Sequence, residues 1–103
     1  MTEHHDRAAF EQGVMVDVGG AAGALLVYAS ADLEGHEIEI SPHGDDTNRT
    51  HTEVLRRATA AGHVYAAIFG SLPAGRYRLW HESSSLPTEV LIVGGEIAEV
   101  HWP

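Results

Sequence analysis

Eight of the 103 residues are histidine, and fifteen are Asp or Glu. Imidazole and carboxylate together can hold a metal, move a proton or bind a cation, so their spacing comes first. His4 and His5 lie in an acidic N-terminal stretch, and the rest are His36, His43, His51, His63, His81 and His101. No pair has the His-Glu-x-x-His spacing that puts two imidazoles on one helix face in zinc hydrolases. The densest local set is His43, Asp45, Asp46 and His51, in and beside the polar loop 42–48. Imidazole and carboxylate on such a loop suit zinc, nickel or copper. Asp45, Asp46 and Asn48 could instead offer oxygens to calcium, but the EF-hand spacing and its closing Glu are missing. A divalent-metal site using His43, Asp45, Asp46 and His51 therefore stands beside the plainer reading of a solvated loop.

Other chemistry has weaker support. Ser83, Ser84 and Ser85 follow His81 and Glu82, but catalytic triads form in space and there is no Gly-x-Ser-x-Gly elbow. A small hydrolase is the least supported reading. The glycine cluster at 19–23 has no Gly-Lys-Ser/Thr after it, so it reads as a loop rather than a phosphate cradle. Asn48-Arg49-Thr50 is formally a glycosylation sequon, and no secretory signal accompanies it. His51 and Glu53 alternate along one face of an expected strand, with Arg57 beyond, as a solvated stripe or a ligand-binding one. Trp80 alternates with Arg76 and Arg78 on the face opposite Tyr77 and Leu79. Exposed Trp beside Arg suits a protein interface or a sugar platform. The alternative is an indole folded over its neighbours.

Composition narrows the classes. The formal net charge is −9, and all six basic residues are arginine. Such acidity argues against nucleic acid and anionic membranes and favours cationic or protein partners. No cysteine is present, which removes disulfides and thiol chemistry and fits a cytoplasmic protein. The longest apolar run, 19–29, is too short to span a bilayer. A chain of this length holds one core.

The elements that must position these residues are strands. Residues 1–12 read as a flexible leader, and 13–103 as one β-sandwich domain. Val14, Val16 and Val18 alternate with Met15 and Asp17, as in a strand. Residues 24–30 are apolar throughout, as expected of a central strand covered on both faces. Ile38 and Ile40 alternate with Glu37 and Glu39. Residues 50–59 read as one strand despite the helical spacing of Val54, Leu55 and Ala58, because Thr50 and Thr52 are β-branched. Residues 63–69 form another strand, followed by Leu72-Pro73-Ala74-Gly75 with the chemistry of a type I turn. Residues 76–82 alternate again. Residues 87–93 and 96–102 read as a hairpin across Gly94-Gly95. A three-residue loop with Gly95 left-handed puts Val90 and Ile92 with Ala98, Val100 and Trp102, the better separation of apolar from charged. Leu91, Val93 and Ile97 would then share an outer face that something covers. About eight short strands with no convincing helix predict an all-β, two-sheet antiparallel β-sandwich of seven to eight strands, with Ig-like Greek-key connections.

The stretch Phe69, Leu72, Pro73, Ala74, Gly75, Tyr77, Leu79 resembles the prealbumin-like sandwich modules, including carboxypeptidase regulatory-like domains. There an aromatic strand residue precedes a Leu-Pro-x-Gly-x-Tyr corner. The resemblance implies the sandwich fold and carries no site residues. The transthyretin-related hydroxyisourate hydrolase shares that architecture, but its terminal Tyr-Arg-Gly-Ser is absent here and its activity is not carried over. Residues 35–80 also look like small actinobacterial proteins, a likeness that implies no function. The sequence thus points to a non-enzymatic interaction or self-association module, able to form a homodimer, with Arg76, Arg78, Trp80, Leu91 and Ile97 as candidate contacts. No cofactor is expected unless the histidine loop takes a divalent metal.

Overall fold

The apolar run after the glycine cluster becomes the strand on which one sheet is built. The computed structural model describes residues 19–81 and 87–102. In it β1 (Ala22–Ala29) lies between two neighbours and is buried on both faces. Leu25 and Val27 point into the core, and Ala24 and Leu26 on the opposite face are also buried. That double burial is why the run shows no alternation. A short 3₁₀ turn (Ala31–Leu33) then carries the chain to the other sheet.

Seven further strands follow: β2 (Glu37–Pro42), β3 (Thr50–Glu53), β4 (Leu55–Thr59), β5 (Gly62–Pro73), β6 (Gly75–Trp80), β7 (Thr88–Ile92) and β8 (Ile97–His101). They form two four-stranded sheets, ordered β4-β5-β1-β8 and β3-β2-β6-β7. The fold is therefore the all-β two-sheet sandwich that the alternation predicts. One pairing departs from the antiparallel rule, since β8 runs parallel to β1 with Leu25 opposite Ala98 and Val27 opposite Val100. Between the sheets lie Leu25, Val27, Ile38, Ile40, Ala67, Phe69, Tyr77, Leu79, Val90 and Ile92. Each occupies the inward position of its strand's period of two.

Three expectations are corrected, all for one reason. The chain changes sheets where the sequence suggests a local reversal or a continuous strand. Residues 50–59 are two strands, β3 in one sheet and β4 in the other. The switch is at Val54, which is fully buried and donates its N–H to the His36 carbonyl at 2.9 Å. The segments 87–93 and 96–102 are not a hairpin, because β7 pairs with β6 and β8 with β1. Gly95 is left-handed as expected, at φ 80°, and Val90, Ile92, Ala98, Val100 and Trp102 do face one core. They reach it from opposite sheets, so Leu91 and Ile97 lie on opposite outer faces. Finally, Leu72-Pro73-Ala74-Gly75 is a corner between sheets rather than a type I hairpin turn. Pro73 is the last residue of β5, paired opposite Ala22, and a strand end tolerates its missing N–H. The expected leader 1–12 and strand 13–18 lie outside the described residues.

Tyr77 locks that corner. Its hydroxyl donates to the Pro73 carbonyl at 2.7 Å, and its ring is in the core, so burial raises the phenol above its ordinary pKa. Tyr77→Phe keeps the ring and orphans the carbonyl. The expected loss is about 1 kcal/mol, read as a lower urea midpoint with an unchanged slope.

Candidate functional site

The outer face of β3-β2-β6-β7 carries the densest chemistry among the described residues. Because Ile38 and Ile40 point inward, Glu37, Glu39 and Ser41 point outward from β2. Register then sets the rows. His51, Glu39 and Trp80 are direct neighbours across β3, β2 and β6. Ser41, Arg78 and Glu89 form the next row across β2, β6 and β7, and Arg76 and Leu91 the one after.

These side chains are mostly joined. Arg78 Nη1 donates to Asp46 at 3.0 and 3.1 Å, and its Nε donates to Glu89 Oε2 at 3.1 Å. Glu89 Oε1 lies 3.0 Å from His43 Nδ1. Arg49 reaches Glu39 at 3.1 Å and donates to the Asp46 carbonyl at 2.9 Å. Its guanidinium also sits 3.9 Å over the Trp80 ring. Trp80 Nε1 donates to Ser41 Oγ at 2.9 Å. The indole is thus folded over the sheet with Arg49 above it, not presented as a bare platform. Individually these exposed pairs contribute about 0–1 kcal/mol each. As a network they hold the 42–49 loop against the sheet.

The four metal candidates do not converge. His43 meets Glu89 of β7, and His51 of β3 lies 3.7 Å from Glu37, so the two imidazoles serve opposite edges of the sheet. Asp46 is taken by Arg78, and Asp45 donates its backbone N–H to the Pro42 carbonyl at 3.0 Å. Among the described residues no three His, Asp or Glu side chains are arranged to hold a metal ion. Nearness in sequence around a loop is overridden here by strand register, which sends the side chains to different partners.

A shallow cleft of about 230 Å³ opens beside Trp80, lined by Glu37, Glu39, Arg49 and His81. His81 is the buried member. Its Nε2 lies 2.7 Å from Thr88 Oγ1, its ring packs 4.5 Å from Trp102, and its buried Nδ1 has no partner among the described residues. The Ser83–Ser85 cluster next to it falls outside the described residues. The two carboxylates of the cleft face Arg49 and His51.

The five contact candidates separate. Arg78 and Trp80 belong to the polar network. Ile97 lies on the other sheet, opposite Ala24. Arg76 and Leu91 are neighbours on β6 and β7, and Leu91 is 60% exposed. Arg76 makes no ion pair among the described residues. Leu91 sits on an edge strand, and Val93 just beyond it is also exposed. Sequence reading missed Glu89 as the bridge between His43 and Arg78, and Arg49 as the cover on Trp80. Both are contacts between distant segments, for which local spacing carries no signal.

Comparison with protein-family models, with curated proteins and with solved structures finds no match to this chain.

Proposed function

We propose that this chain is a non-enzymatic β-sandwich interaction module whose partner is a second copy of itself. Contact runs along edge strand β7 and the adjoining Arg76–Leu91 pair. The exposure of Leu91 on an edge strand carries this reading. An edge strand offers unpaired N–H and C=O groups, and natural sequences usually protect such edges with charge or proline. The charge on β7, Glu89, is taken up by His43 and Arg78, which leaves Leu91 exposed, with Val93 beside it and Arg76, without an ion pair among the described residues, behind it. Two β7 edges meeting antiparallel across a two-fold axis would satisfy both rows of backbone groups and bury both leucines. Such an isologous contact closes as a dimer.

The polar network supports the same assignment. Arg78, Asp46, Glu89 and His43 stiffen the sheet beside the patch without needing an outside ligand. In the Leu72–Tyr77 corner, Leu72 and Tyr77 are in the core and the Tyr77 hydroxyl is bonded to Pro73. A cytoplasmic setting suits a chain without cysteine. No helix among the described residues is long and apolar enough to cross a membrane.

Leu91→Glu is expected to weaken self-association by at least about tenfold, read by sedimentation equilibrium. Its far-ultraviolet circular dichroism and urea midpoint are expected to stay close to the parent's, because the side chain faces solvent in the monomer. A variant that associates as tightly as the parent would remove β7 from the interface.

A further inference from the structure

The opposite edge of the other sheet carries a different signal. Of the described arginines, Arg49 and Arg78 are held by carboxylates, whereas Arg56, Arg57 and Arg76 are not. Two of these three are consecutive, on β4, the outer strand of β4-β5-β1-β8. Consecutive residues of a strand project to opposite faces, so one guanidinium stands on each side of this edge. Arg57 is half-buried, and its Nε donates to the Ala66 carbonyl at 3.1 Å. Burial lowers its pKa from the ordinary value, and no carboxylate among the described residues is paired with it. Arg56 Nη2 lies 3.0 Å from His63 Nε2, which can only accept from it. Leu55, beside them, is exposed. In a chain of net charge −9, this is a local excess of positive charge on a strand edge.

The edge is also well supported. β4 is paired residue by residue with β5 from Leu55 opposite Ala66 to Thr59 opposite Gly62. Thr59 Oγ1 donates to the Gly62 carbonyl and accepts from the Ala61 N–H, which closes the hairpin. Among the described residues, no backbone hydrogen bond to another element is made by residues 55–59 on the side away from β5.

We propose that β4 is a docking edge for an extended acidic peptide segment, which adds as a fifth strand with carboxylates clasped by Arg56 and Arg57 from the two faces. Main-chain hydrogen bonds supply affinity in such strand addition, and side-chain charge supplies selection. Arginine suits the role because its planar fork meets carboxylate oxygens in pairs. This edge lies on a different sheet from β7 and does not depend on self-association.

The probe is a short capped, fluorescein-labelled peptide with a central pair of glutamates among valines and threonines. Versions with a lysine or a glutamine pair serve as controls. Anisotropy with the full chain is expected to show binding of the glutamate peptide only, weakening steeply as salt is raised. The double variant Arg56→Ala, Arg57→Ala should weaken binding by at least about tenfold. Amide exchange on the unmodified protein should slow at residues 55–59 when the peptide is bound. That reading stands even if the double variant folds poorly. No binding, equal binding of the lysine peptide, or protection at β7 instead of β4 would each overturn the proposal.

Discussion

Gly23→Ala is expected to destabilise the protein by about 3 kcal/mol, one of the largest effects of a single methyl group anywhere in the chain. A Cβ at Gly23 would lie 2.5 Å from the Val93 carbonyl oxygen, 2.8 Å from Ile92 Cγ2 and 3.0 Å from the Glu96 carbonyl oxygen. Two of these three obstacles are backbone, so no side chain can swing away to make room. The backbone is held there because the crossing from β7 to β8 runs directly against the start of β1. Gly95 donates to the Ala22 carbonyl at 2.8 Å, and Ala24 donates to the Glu96 carbonyl at 3.1 Å. The contact is reciprocal, since a Cβ at Gly94 would overlap the carbonyl oxygen of Gly20. Two glycine segments therefore pack main chain against main chain where the last strand leaves one sheet for the other. Urea unfolding gives the readout. At this chain length each kcal/mol lowers the melting temperature by about 4–8 °C. Gly19→Ala is the control. Nothing lies within 4 Å of its Cβ position, and its effect is expected to stay within about 0.5 kcal/mol. Equal effects at the two positions would refute the close approach.

Val54→Asp is expected to cost about 4 kcal/mol or more, enough to unfold much of the population, because it buries an unpaired carboxylate. Val54 is fully buried, and its N–H and C=O are both bonded across the crossing, to His36 and from Gly35. Leu55→Asp, one residue on, changes a side chain that is 41% exposed and is expected to cost about 0.5 kcal/mol or less. A contrast this sharp between adjacent positions reflects the full burial of Val54 in the core. Circular dichroism and urea midpoints of the two variants are the measurement. Similar costs at both would contradict that burial.

The strands were legible because burial writes a period of two into the sequence. Ile38 and Ile40, Tyr77 and Leu79, and Val90 and Ile92 all point where their alternation placed them. The apolar run of β1 was legible for the complementary reason, since burial on both faces removes alternation. What stayed hidden was which sheet each strand joins. Leu91 and Ile97 flank Gly94-Gly95 and suggested one hairpin with one outer face. Instead β8 pairs with β1 in the other sheet, where Gly23 and Gly94 let the main chains approach. The same blindness dispersed the metal candidates. His43 and His51 flank one loop, yet register with β6, β7 and β2 gives them to Glu89 and Glu37. The residues on which the two proposals rest, Leu91 for its exposure and Arg56 with Arg57 for lacking a carboxylate partner among the described residues, are ordinary in type. Their meaning depends on lying on edge strands, which strand order alone determines.

Self-association through β7 is tested most directly by sedimentation velocity on the unmodified full chain across a wide concentration range, with Leu91→Glu run in parallel. The expected result is a dimer for the parent that dissociates on dilution, and a monomer for the variant under the same conditions. A parent chain that stays strictly monomeric at high concentration, or a variant that dimerises as the parent does, would contradict it.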